Sequence, residues 1–157
     1  MVNGETNTGS KILDNEQLYD VFLNFRGEDT RKSFTGNLFH ALHNKRIKTF
    51  MYNDNLKTGN QILASIFKVL KQSRISIVVL SKNYPSYALC LDELVKIIEC
   101  RERNNLLVLP IFYDVDPSDV RHQRGSFGHN ISHHEHKHGI DGIKRFYRSF
   151  MMLILPM

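Results

Sequence analysis

The stretch that most limits what this chain can fold into is Tyr19-Asp-Val-Phe-Leu-Asn-Phe-Arg-Gly-Glu-Asp-Thr-Arg31. Within Tyr19–Phe25, Val21, Phe22 and Leu23 form a nearly unbroken apolar run. Such a run, in place of strict alternation, predicts a strand covered on both faces, as in a parallel sheet. Arg26-Gly27 breaks the run. Glu28-Asp29-Thr30 then offers N-cap residues for a helix with Phe34, Leu38, Phe39 and Leu42 on one face. A buried strand, a charged glycine loop and an amphipathic helix make the first half of a βαβ unit. In open α/β sheets, ligands bind outside the carboxyl ends of the strands, which is where this loop lies.

The rest of the chain repeats that alternation. A first helix is predicted over about 31–45 and a short strand over Ile47–Met51, followed by a polar loop, Tyr52–Gly59. Asn60 opens a helix whose apolar face is Ile62, Leu63, Ile66, Phe67 and Leu70. Arg74–Leu80, rich in β-branched residues, reads as a central strand. After the loop Ser81–Ala88, a helix reaching Arg103 carries Leu91, Leu94, Val95 and Ile98 at helical spacing. Leu106–Tyr113 is a fourth strand, and Pro110 inside it removes a ladder donor, which points to a sheet edge or a bulge. A polar loop, Asp114–Arg124, and a short helix, Phe127–His136, follow. Alternating strands and helices predict one α/β domain with right-handed crossovers.

At 157 residues and 41% hydrophobic content the chain is long and apolar enough to bury a real core. Its charge of +5 is spread along the sequence, which reads as a solvated basic surface and argues against a nucleic-acid-binding stripe. Cys90 and Cys100, both on one predicted helix, match neither a disulfide framework nor a metal spacing, and reduced thiols are the default of an intracellular protein. Residues 1–18 are polar, lack an apolar signal core and read as a flexible leader; no span approaches transmembrane length, so no membrane is expected. Six histidines, His122, His129, His133, His134, His136 and His138, crowd one region, but no companion Cys or Asp pattern completes a site, and no metal is assigned.

Four segments together carry a family resemblance. Tyr19–Arg31, Ser73-Arg-Ile-Ser-Ile-Val-Val-Leu-Ser81, Cys90-Leu-Asp-Glu-Leu-Val-Lys-Ile97 and Val108-Leu-Pro-Ile-Phe-Tyr-Asp-Val-Asp-Pro-Ser-Asp-Val-Arg121 resemble, in order, the motifs of a plant-type TIR (Toll/interleukin-1 receptor) domain. The resemblance implies a flavodoxin-like three-layer sandwich with a parallel sheet of strand order 2-1-3-4. It divides the chain into the leader 1–18, a TIR domain over 19–140 and a divergent tail, 141–157, in which the family's fifth strand is missing or replaced. Phe150–Leu155 is expected there as a substitute strand on the fourth-strand edge or as an apolar surface turn, in a truncated or alternatively terminated product.

The resemblance also implies an activity: cleavage of NAD⁺ to release nicotinamide, in cytoplasmic plant immune signalling, with the nucleus as a second compartment. NAD⁺ is the substrate and no cofactor is implied; other TIR proteins are the implied partners. Glu93 stands at the motif's catalytic glutamate, although its helix position, read from the Leu91/Leu94/Val95/Ile98 stripe, points it away from the apolar face. The implied substrate-binding residues are Phe25, Arg26, Gly27, Glu28, Asp29, Thr30, Gly59 and Leu89. For Arg26 an ion pair with Glu28 or Asp29 is the alternative, and for Gly59 an ordinary turn.

Several positions depart from the family pattern. Leu89 replaces a tryptophan, Tyr87 a serine, Thr58 an arginine, and Gly36-Asn37 a Ser-His pair used in one TIR–TIR interface. The alternative function is therefore a non-catalytic TIR interaction module, an adaptor or decoy. A phosphoacceptor receiver domain would need aspartate where Ser81 ends the third strand. A flavodoxin would need a phosphate-binding first loop, against which Glu28 and Asp29 count.

Overall fold

The computed structural model describes residues 17–52, 60–132 and 135–154. The leader up to residue 16, the loop 53–59 with Thr58 and Gly59, His133, His134 and residues 155–157 lie outside the described residues. Four strands, β1 (Tyr19–Asn24), β2 (Thr49–Met51), β3 (Ser73–Leu80) and β4 (Leu107–Phe112), form one sheet of order β2-β1-β3-β4. All pairings are parallel, with Val21 opposite Thr49 and Ile75, and Ser76 opposite Val108. This is the predicted strand order.

Both sheet faces are covered, which is why β1 reads as a continuous apolar run. Val21, Leu23 and Phe25 face one side with Val79, against Phe34, Leu38, Phe39 and Leu42 of α2 (Phe34–Asn44). Phe22, Val78, Leu80 and Val108 face the other. There they pack with Ile66 and Leu70 of α3 (Asn60–Lys71) and with Leu91, Leu94, Ile97 and Ile98 of α4 (Ala88–Asn104). β4 is a sheet edge, as Pro110 indicated, and its Leu107 and Leu109 are exposed.

The first helix is not continuous. A single turn, α1 (Gly27–Thr30), precedes α2, and Ser33 occupies the N-cap of α2 without a side-chain cap bond. The expected caps are engaged elsewhere, Thr30 with Thr35 and Asp29 with the β3 end. The tight α1–α2 junction also explains Gly36: a Cβ there would lie 2.2 Å from the Arg31 carbonyl oxygen, so a larger residue needs a backbone shift.

The C-terminal region corrects an expectation. Beyond α5 (Pro117–His122) and α6 (Gly125–Ser132), residues Glu135–Ile154 form α7, interrupted at Gly139 with φ 69°. The segment expected as a strand or apolar turn is thus helical as far as Ile154. Phe146, Phe150 and Leu153, spaced i, i+4, i+7, bury one stripe in the core beside α4. An apolar run beside α4 has a groove to fill, so the helical period wins over the strand reading. Among the described residues, no helix is long and apolar enough to cross a membrane.

Candidate functional site

The carboxyl ends of β1 and β3, a 3-10 turn (Tyr84–Ser86) and the first turns of α4 converge on Glu93. Glu93 is buried, only 5% exposed, and does not point to solvent as the apolar stripe predicted. The reason is that α4 is covered on two sides. Besides Leu91, Leu94 and Ile98, it buries a second seam of Cys90, Glu93, Ile97 and Cys100, at spacings of three and four. A stripe drawn from aliphatic residues alone leaves that seam out.

A carboxylate this deep requires hydrogen-bond partners. Asn24, the last residue of β1, donates its side-chain N–H to Glu93 Oε2 at 2.5 Å. The Tyr84 hydroxyl reaches the Asn24 side-chain oxygen at 2.5 Å and the Cys90 carbonyl at 3.0 Å. Asn24 and Tyr84 are both fully buried. Burial pushes the Tyr84 phenol well above its ordinary pKa, the Cys90 and Glu93 charges push the same way, and the Asn24 bond opposes them. Tyr84 is therefore a protonated donor at neutral pH. Neither Asn24 nor Tyr84 was among the expected site residues. The available signal was a polar amide ending an otherwise apolar strand.

Glu93 lines a crevice together with Leu23, Phe25, Arg31, Tyr52, Tyr87, Leu89 and Cys90. Its cavity volume is about 10 Å³, room for a single water. Arg31, which closes the first motif, holds its guanidinium 5.0 Å from the Phe25 ring centroid. A wider cleft of about 170 Å³ is lined by Arg26, Gly27, Glu28 and Tyr87. Tyr87, 42% exposed, borders both spaces. So Phe25, Leu89 and Glu93 share the crevice, while Arg26, Gly27 and Glu28 share the neighbouring cleft.

The remaining loop residues hold the site from behind. Arg26 pairs with both Glu28 and Asp29 at 2.8 Å, the internal pairing given above as its alternative. Its buried Nε has no partner among the described residues. Asp29 also accepts from the Ser81 hydroxyl at 2.5 Å and from the Asn83 backbone N–H at 3.1 Å. It thereby ties the loop after β1 to the loop after β3. Thr30 is buried against Thr35, their hydroxyls 2.7 Å apart. Asp29 and Thr30 therefore line neither space, and Gly59 lies outside the described residues. Among the described residues no group of three or more His, Cys, Asp or Glu is placed to hold a metal ion.

Comparison with known proteins agrees with this architecture. The model of the TIR domain family matches residues 18–147. TMV resistance protein N of Nicotiana glutinosa is 49% identical over 130 residues, 82% of this chain and 11% of that protein. Disease resistance protein RPV1 of Vitis rotundifolia is 50% identical over 117 residues, 74% of this chain and 8% of that protein. The chain thus spans about a tenth of the length of these relatives. Among solved structures, the TIR domains of the activated Roq1 resistosome, which directly recognizes the pathogen effector XopQ, superpose with a TM-score of 0.77 at 47% identity. That match covers 86% of this chain and 82% of the other. With the parallel 2-1-3-4 sheet and a family match across most of its length, this chain belongs to the TIR domain family.

Proposed function

We propose that this domain cleaves nicotinamide from the ribose of NAD⁺, with Glu93 as the catalytic carboxylate, in plant innate immune signalling. The observation that carries the reading is Glu93 itself. It is a buried, hydrogen-bonded carboxylate that lines a crevice at the carboxyl ends of parallel strands. One carboxylate suffices for this chemistry. Ordinary glycoside hydrolysis needs a second group to protonate the leaving oxygen. The nicotinamide of NAD⁺ is already cationic and departs as a neutral molecule, taking the bonding pair. A nearby negative charge then stabilises the oxocarbenium-like ribose until water adds at the anomeric carbon and loses a proton.

The neighbouring groups fit the rest of the substrate. Tyr87 offers an aromatic face between crevice and cleft in a chain that has no tryptophan. Arg31 supplies a cation on the crevice side of Tyr87, and the Arg26 guanidinium, held by Glu28 and Asp29, lines the cleft side. The partners in this reading are NAD⁺ and other TIR-domain proteins, in the cytoplasm or nucleus. The resemblance to the TIR domains of a resistosome supports activity within an assembly.

The crevice volume of about 10 Å³ favours a second reading, a non-catalytic TIR interaction module, because a ribose enters only if Tyr52, Tyr87 or Leu89 moves. Nicotinamide release from NAD⁺ by the purified protein at high concentration, beside Glu93→Ala, separates the two. Release that disappears in the variant supports the enzyme. A folded wild type that releases none, even when crowded into assemblies, leaves the interaction module.

A further inference from the structure

We propose that Asn24 and Tyr84 are positioning residues that hold the Glu93 carboxylate in place through a one-way chain of buried hydrogen bonds. The inference rests on the reading of Glu93 as the catalytic group.

Three elements distant in sequence meet here: the end of β1, the 3-10 turn and the second turn of α4. Each contributes a buried polar side chain where an apolar one would pack at lower cost. The single Tyr84 hydroxyl hydrogen has two acceptors in reach, and the Asn24 oxygen at 2.5 Å is nearer than the Cys90 carbonyl at 3.0 Å. A protonated Tyr84 donates, and the Asn24 side-chain oxygen accepts. The planar amide then has to direct its N–H₂ the opposite way, at Glu93 Oε2. The Glu93 carboxylate oxygen accepts that N–H and completes the chain.

The far end is held by packing, with Tyr84 fully buried. The Tyr84 hydroxyl lies 3.0 Å from the Cys90 carbonyl in the first turn of α4, and its ring meets Phe150 of α7 edge-on at 6.2 Å. A flipped Asn24 amide would turn its oxygen toward the Glu93 carboxylate and lose that bond. The other titratable groups around Glu93 are Arg31, Tyr52, Tyr87 and Cys90 along the crevice, with Asp92 beside it on α4. Among these groups it is Asn24 that donates to Oε2 of Glu93.

The test reads the Asn24 side-chain amide by NMR in the whole chain, assigned by its absence in Asn24→Leu. The expected wild-type signal is protected from exchange, and Glu93→Ala, which removes its acceptor, shifts it and lifts that protection. Tyr84→Phe, which keeps the ring, accelerates exchange about tenfold or more. In nicotinamide release, Asn24→Leu lowers kcat by about 10²-fold with KM little changed, because the carboxylate is misplaced rather than removed. If Asn24→Leu does not fold, Tyr84→Phe carries the kinetic arm with a smaller loss in kcat. A freely exchanging Asn24 amide, or one indifferent to Glu93, overturns the proposal, as does a folded Asn24→Leu with wild-type kcat. A wild type that releases no nicotinamide sinks the catalytic reading of Glu93. The amide signal then still decides whether the chain holds the carboxylate.

Discussion

The loop after β1 and the C-terminal helix α7 are built by different means, and both bear on the same carboxylate. The loop is fixed by directed polar contacts: Asp29 accepts from Arg26, Ser81 and Asn83, and Thr30 meets Thr35. α7 is fixed by volume. Phe146, Phe150 and Leu153 fill the space beside α4, with Phe150 edge-on to both Phe127 and Tyr84. A directed contact needs a particular residue type at a particular place, whereas a packed space needs only apolar residues of about the right size. The motif loop is therefore recognisable by residue identity. α7 supports the site through the contact from Phe150 to Tyr84.

If volume is what α7 contributes, Phe150→Ala has the largest effect on stability. Phe150 is fully buried between two rings, and truncation leaves a cavity that the neighbouring helices only partly close. The expected loss is about 3–5 kcal/mol in urea unfolding, with Phe150→Leu costing much less. A loss below about 1 kcal/mol would mean that α7 packs loosely and that the contrast with the loop is wrong.

Asp29→Ala tests the loop side. Its side chain has 13% exposure and takes three donors, two of them outside its own loop. Removal leaves the Ser81 hydroxyl and the Asn83 N–H without their acceptor, for an expected loss of about 1–3 kcal/mol. The distinguishing readout is local. Amide exchange at Asn83 rises while exchange in the last turns of α7 stays unchanged. Equal loosening of both regions would show that they are not held independently.

What the sequence revealed follows the same division. Both covered sheet faces are legible because apolar runs report directly on burial, and Pro110 narrows β4 to an edge or a bulge, whereas the strand order is what the family resemblance implies. The strand reading of the tail fails because Phe150-Met-Met-Leu-Ile-Leu155 is a short unbroken apolar run, which fits a strand and a buried helix equally well. The deciding spacing, Phe146–Phe150–Leu153, begins before that run. Glu93 is nameable from its motif, but its burial is not, because a stripe of aliphatic residues cannot show the Cys90–Glu93–Ile97–Cys100 seam. Asn24 meets Glu93 across 69 residues of sequence and Tyr84 meets Asn24 across 60, distances no local pattern spans.

The smallest expected effect concerns a directed contact placed on the volume-filled side. Arg101 of α4 donates from Nη1 to the Met152 carbonyl at 2.6 Å, in the last turn of α7. Terminal helix carbonyls lack intrahelical partners, and a cation there also meets the negative end of the helix dipole. Arg101→Ala removes the donor, but water can replace it at a partly exposed helix end. The expected cost is therefore only about 1 kcal/mol, well below that of Phe150→Ala. Exchange should rise in the last turn of α7, while the Asn24 amide signal and the Phe150 ring environment stay as they were. A cost matching that of Phe150→Ala would show that one hydrogen bond, rather than filled volume, seats α7, and the two regions would then be built alike.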